Sequence, residues 1–211
     1  DALMDAQPHD RLVDVVEPGL DDMAALFHTG GTTGLPKLVP QSHRNQIHAA
    51  WSLAQLFDLS ETDIALNGFP LFHVGGTSTL GMSLLAAGGH VVFLSPSGFR
   101  EPGIVAGIWH LVERFRATVL GGVPTAIGSM SEVPVEDSDL SSLRFAMTGG
   151  SSLPRAVAER FEERTGLPLL EQYGMTETVA ALATTPLHGR HLRGSVGLRC
   201  PFSTIGIVKP G

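Results

Sequence analysis

Apolar and polar positions along this chain switch between two periods, and the switching predicts its elements. The first twenty residues hold no sustained apolar period, so residues 1–22 read as a lead-in or linker. Met23 to His28 is the first ordered element. After a glycine-rich stretch, Ser42 is placed to cap a helix from His43 to about Phe57, in which Ile47, Ala50, Trp51, Ala54 and Phe57 recur at helical spacing. Alternation follows, with strands over Ile64–Phe69, His90–Leu94, Thr118–Leu120, Arg144–Thr148 and Pro168–Gln172. Between them fall a buried helix over Thr77–Ala87 and helices over Ile104–Phe115, Thr125–Met130 and Pro154–Arg164. Strand and helix taking turns predicts an α/β fold with a largely parallel sheet flanked by helices, and its ligand crevice should lie outside the carboxyl ends of the strands. Residues 23–185 form this unit in the reading. From Leu182 the signal weakens, and residues 186–211 read as the start of a truncated, β-rich C-terminal piece.

Composition narrows the class. Hydrophobic residues make up 43% of 211 and charged residues 17%, which excludes a disordered or fibrous chain. The net charge of -7 argues against a nucleic-acid partner or an anionic membrane surface, while leaving room for a local phosphate site. Cys200, the single cysteine, has no internal disulfide partner, and a reducing, cytoplasmic setting is expected. No run of eighteen apolar residues occurs, and Asp1 to Asp22 is acidic and broken by Pro8 and Pro18. Neither an integral membrane segment nor a secretory signal is expected. Glycine stands out: 25 copies, about 12% against a usual 7% or so.

Much of that glycine sits where chemistry is expected. Thr29-Gly30-Gly31-Thr32-Thr33-Gly34-Leu35-Pro36-Lys37 follows a strand. Its glycines let backbone N–H groups converge, its threonines add hydroxyls, and Lys37 supplies a point charge, a set that suits a polyphosphate. The same composition also describes a solvent-exposed turn. Lys37 is one of only two lysines beside twelve arginines. Glu171-Gln172-Tyr173-Gly174-Met175-Thr176-Glu177 ends another strand. There Tyr173 can stack on a base, Gly174 permits close approach, Thr176 offers a hydroxyl, and Glu177 can hold Mg²⁺ against phosphate; an ordinary strand-to-helix turn capped by Thr176 fits equally. His73, in Pro70-Leu71-Phe72-His73-Val74-Gly75-Gly76, reads either as a pocket residue positioning a carboxylate or as a structural histidine. Thr148-Gly149-Gly150-Ser151-Ser152-Leu153-Pro154 offers bare backbone to a flat ligand. Gly121 and Gly122, with Gly75 and Gly76, read as leaving room for an acyl group. Glu162 and Glu163 read as a solvated helix face, and no histidine, cysteine or carboxylate cluster has zinc spacing.

Taken in order, HTGGTTGLPK, PLFHVGG, TGGSSLP, EQYGMTE and GSVGLRCP strongly resemble the adenylate-forming (AMP-binding) superfamily, most nearly its fatty-acyl-CoA synthetases. The resemblance runs from about Ala24 to the C-terminus. It implies a two-step reaction: a carboxylate and Mg·ATP give an acyl-adenylate and pyrophosphate, and the thiol of coenzyme A then displaces AMP. It implies that Thr29, Gly30, Gly31, Thr32, Thr33 and Gly34 with Lys37 hold the β- and γ-phosphates. Gly149, Gly150, Ser151, Gln172, Tyr173 and Gly174 would hold adenine, Thr176 would touch the α-phosphate and Glu177 would bind Mg²⁺. His73 would stand beside the acyl carboxylate, where relatives that activate amino acids carry an aspartate; a carboxylic acid without an α-amine, such as a fatty acid, is therefore favoured. Leu38 departs from the family's glycine and His28 from its aromatic residue. Family members are longer, so the resemblance makes this chain a central part of the large N-terminal domain, inactive alone, with a further C-terminal domain as its partner. A non-catalytic nucleotide- or acyl-binding module, a carrier-protein acceptor and luciferase-type oxidation remain alternatives.

Overall fold

The computed structural model describes residues 6, 8, 16–29, 37–101, 103–135 and 138–209. Strand β1, Met23–His28, pairs antiparallel with β2, Leu38–Ser42, placing Phe27 opposite Val39 and His28 opposite Leu38. The sequence pattern did not predict β2, because Pro40 within it is a strand-breaking signal. In a two-stranded ribbon a proline that lacks its N–H is tolerated. Ser42 then caps α1, His43–Leu56: its side chain accepts from the Asn45 amide at 3.3 Å, and the Asn45 carboxamide oxygen accepts from the Ser42 amide at 3.0 Å.

The main sheet has seven strands in the order β4-β3-β5-β6-β7-β8-β9. These are β3 (Ile64–Asn67), β4 (His90–Phe93), β5 (Val119–Gly122), β6 (Phe145–Gly149), β7 (Leu169–Gly174), β8 (Ala181–Thr184) and β9 (Leu198–Arg199). The first five run parallel, while β8 and β9 turn back antiparallel. A π-helical segment, Gly75–Met82, runs into α2, Ser83–Ala86, so this helical stretch starts earlier than its apolar pattern suggests. Next come α3 (Ile108–Phe115), α4 (Pro124–Ser131) and α5 (Arg155–Thr165). Helix α3 starts four residues later than the pattern predicts, after turns at Gly103–Gly107.

Successive strand residues face opposite ways, and both faces are covered. Leu66, Leu120, Ala146 and Leu169 pack with Ile108, Trp109, Ile127 and Phe161 from α3, α4 and α5. Ala65, Val119, Phe145 and Leu170 pack on the other face with Leu53, Phe57, Leu80 and Leu84. This two-sided burial is why the strands read as continuous apolar runs. On α1 the buried side holds Ala49, Ala50, Leu53 and Ala54. Ile47 and Trp51, expected with them, are half exposed, and Trp51 stacks on Phe202 with ring centroids 5.8 Å apart.

At the amino ends of β3, β5 and β6 sits a buried charge. The Asp63 side chain is 1% exposed and accepts from Arg144 Nη1 at 2.7 and 2.8 Å and from Thr118 Oγ1 at 2.6 Å. Burial pushes its pKa up, but the donors Thr118, Arg144 and the Ser60 amide outweigh that and leave it below the ordinary value. Arg144 Nη2 also donates to the carbonyls of Phe57 and Asp58, tying the end of α1 to the sheet. Glu162 is not a solvated residue: it accepts from the Leu169 amide and pairs with Arg193, locking α5 to the segment after β8. Among the described residues, no helix is long and apolar enough to cross a membrane.

Candidate nucleotide and acyl site

The carboxyl ends of β3, β5, β6 and β7 open into a cleft of about 450 Å³, a size suited to a small molecule. Parallel strands all deliver their ends to the same edge, so loops far apart in sequence meet there. Of the residues singled out above, the cleft brings together Thr29, His73, Gly75, Thr148, Gly149, Gly150, Gln172, Gly174, Thr176 and Glu177. Lys37, Ser151 and Tyr173 do not line it; Lys37 and Ser151 are exposed, and Tyr173 is 46% exposed. Gly30, Gly31, Thr32, Thr33 and Gly34 lie outside the described residues. The two ends of that loop are pinned, since the Thr29 amide donates to the Lys37 carbonyl at 2.9 Å.

The loop after β3 is braced from below. Asn67, 1% exposed, donates from Nδ2 to the Gly76 carbonyl at 2.8 Å and accepts from the Phe69 amide at 3.1 Å. His73 Nδ1 accepts from the Gly75 amide at 3.0 Å, so the neutral ring carries its proton on Nε2. Burial, and secondly the charge of nearby His28, hold the His73 pKa below the usual histidine value. His28 itself stacks on Phe72 with centroids 5.7 Å apart, bringing the β1–β2 hairpin against this loop.

The turn after β7 is held just as firmly. Gly174 has no alternative, because a Cβ there would lie 2.1 Å from the Ala180 carbonyl oxygen. Its bare backbone admits the chain's own return strand as well as facing the cleft. Val179 adopts φ 68°, a left-handed backbone rarely taken by a β-branched residue. The turn is fixed by the Thr178 amide donating to the Met175 carbonyl and the Val179 amide donating to the Thr176 carbonyl, both at 3.1 Å. Across 135 residues of sequence, the buried Gln41 on β2 donates from Nε2 to the same Thr176 carbonyl at 3.1 Å and accepts from Gln46 at 3.3 Å. Its role had no sequence signal, being one polar residue in a short strand.

Phe69, Thr79, Met147, Ala180 and Ala181 also line the cleft, and their apolar or weakly polar character did not mark them. Thr148 Oγ1 is buried without a hydrogen-bond partner among the described residues, a polar atom left for whatever occupies the cleft. Among the described residues, Glu177 is the only carboxylate or basic side chain other than His73 lining it, and it joins none of their ion pairs. Among the described residues, no group of three or more histidine, cysteine or carboxylate side chains is placed to hold a metal by itself. One carboxylate of this kind fits Mg²⁺, which keeps water ligands and shares substrate phosphates.

An open, mainly parallel sheet with a cleft of glycines, hydroxyls and, among the described residues, one carboxylate at its strand ends is the architecture of an α/β domain with its crevice at the strand ends. The chain belongs to the AMP-binding enzyme family, which it matches over residues 2–211. It is 36% identical over 192 residues to a marinolic acid–CoA ligase of Pseudoalteromonas sp. (strain SANK 73390), covering 89% of this chain and 29% of that protein. It is 30% identical over 196 residues to a long-chain-fatty-acid–CoA ligase of Haemophilus influenzae, covering 90% and 34%. Among solved structures it resembles ATP-bound MatB from Rhodopseudomonas palustris, with 29% identity, TM-score 0.77 and coverage of 88% and 35%. A malonyl-CoA ligase product complex holding methylmalonyl-CoA and AMP gives 31%, 0.74, and coverage of 89% and 40%. The chain thus spans about a third of the length of the curated relatives it matches.

Proposed function

We propose that this chain forms the nucleotide- and acyl-binding part of an AMP-forming acid–thiol ligase. The observation that carries the reading is the meeting of Thr29, His73, Gly149, Gly150, Gln172, Thr176 and Glu177 around one cleft in a member of the AMP-binding enzyme family. In the first step a carboxylate oxygen of the acid attacks the α-phosphorus of ATP, and pyrophosphate leaves. In the second, the coenzyme A thiol attacks the acyl carbon and AMP leaves. Thr29 to Gly34 with Lys37 hold the outer phosphates. Gly149, Gly150, Gln172 and Gly174 form the adenine side, Ser151 and Tyr173 join it from the exposed positions next to them in the chain, and Thr176 contacts the α-phosphate. Mg²⁺ supplies charge neutralisation of the phosphates, and Glu177 is the residue that would hold it. His73, neutral and donating from Nε2, orients the carboxylate without protonating it.

The acid is a fatty acid in the broad sense, an uncharged acyl group on one carboxylate. That choice is supported by the lack, among the cleft's described lining residues, of an aspartate for an ammonium and of a cation for a second carboxylate. Residues 23–185 are the working unit of this reading, residues 186–211 lead into further β structure, and a further domain of the same polypeptide completes the thioester step. A cytoplasmic location is part of the same proposal, supported by the single, free Cys200.

The test is acid-dependent ATP–pyrophosphate exchange in the protein as its gene encodes it. Lys37→Ala and Glu177→Ala should each depress exchange at least tenfold; normal exchange in both removes the site assignment.

A further inference from the structure

The buried end of the cleft is closed. Its wall there is Val74, Thr79, Met147 and Ala180, each less than a tenth exposed, with Phe69 and Ala181 beside them. Strand β5 meets the π-helical segment at Gly121 and Leu80, and Gly121 and Gly76 are two of the glycines whose missing side chains suggest room for an acyl group. The structure fills both places. A Cβ at Gly121 would lie 2.7 Å from Leu80 Cδ1 and 3.2 Å from Met147 Cγ, and one at Gly76 would lie 2.6 Å from the Pro70 carbonyl oxygen. Leu80 is fully buried and packs with Phe57, Leu84, Val119 and Met147. Its isobutyl group occupies the groove between helix and sheet that the missing side chain of Gly121 opens, and Met147 shuts the cleft in front of it. Neither Leu80 nor Gly121 reaches the cleft surface.

We infer that the acid activated here carries a short acyl group ending against Met147, and that Leu80 is the stop that sets its length. The inference rests on the acid-activating reading of the same cleft and adds the size of the substrate to it. A longer chain must displace Leu80 from a close-packed interior, and such an interior does not yield without cost. Conversely, trimming Leu80 removes its isopropyl group and leaves a space continuous with the cleft once Met147 shifts. Methionine, unbranched and adaptable, is suited to that shift. Each further methylene then buried favours binding about fourfold.

The experiment is acid-dependent ATP–pyrophosphate exchange with straight-chain acids from acetate to palmitate, in the protein as its gene encodes it. Wild type should work best on acids of butyrate to hexanoate length and fall off steeply beyond. Leu80→Ala should move the optimum up by about two carbons and raise kcat/KM for those longer acids at least tenfold. Leu80→Val is the milder second variant, with a smaller shift in the same direction. A wild-type preference for dodecanoate or longer overturns the inference and leaves the activity standing, as does an unchanged acid ladder in either folded variant. Absence of exchange with every acid overturns the activity itself, and the length limit with it.

Discussion

Replacing Asp63 by asparagine keeps the shape of the side chain and removes its charge at the end of the sheet opposite the cleft. At 2.7–2.8 Å and an effective dielectric of about 20, the carboxylate and the Arg144 guanidinium attract by roughly 6 kcal/mol. Desolvation cancels much of this, and leaving one buried partner alone costs about 3–5 kcal/mol. The Arg144 side chain is 33% exposed, so water softens its loss, and a cost of about 2–4 kcal/mol is expected. Denaturant unfolding at pH 7 measures it. Because the Asp63 pKa is lowered in the fold, its stabilisation is present above about pH 4 and is lost as pH falls through the folded value. The gap between wild type and Asp63→Asn should therefore close in acid. A difference below 1 kcal/mol at pH 7, or a gap that persists undiminished at pH 2, refutes the reasoning.

Two further outcomes follow from single side chains. Cys200 is 2% exposed and burial pushes its thiol up to about 11, so native labelling by a thiol reagent at pH 8 should be more than about a hundredfold slower than in denaturant; equal rates would show an open thiol. His73 resists protonation in the fold, so its contribution to stability is lost as pH falls below about 6.5, and its imidazole should titrate by NMR below that value; a midpoint above it overturns the assignment of a neutral ring.

The parallel core was legible because strands buried on both faces read as apolar runs between helical periods. What escaped was β2, whose Pro40 reads as a breaker and whose pairing with Leu26 depends on a partner rather than on local preference. Cleft-lining positions were legible where glycine, threonine and charge cluster, as in Gly174–Glu177. They were not legible in Met147 or Ala180, which resemble any core residue until the fold sets them against a cavity. Asp63 and Arg144 are 81 positions apart, and no spacing rule connects them.

Gln41 has a consequence for recombining this chain with its relatives. Its carboxamide reaches a backbone carbonyl, so the acceptor at position 176 survives any residue placed there, while the donor depends on the side chain at position 41. A chimera joined anywhere between the hairpin and β7 inherits the acceptor from either parent. It keeps the clasp only if the amino-terminal segment brings a side chain long enough to donate across.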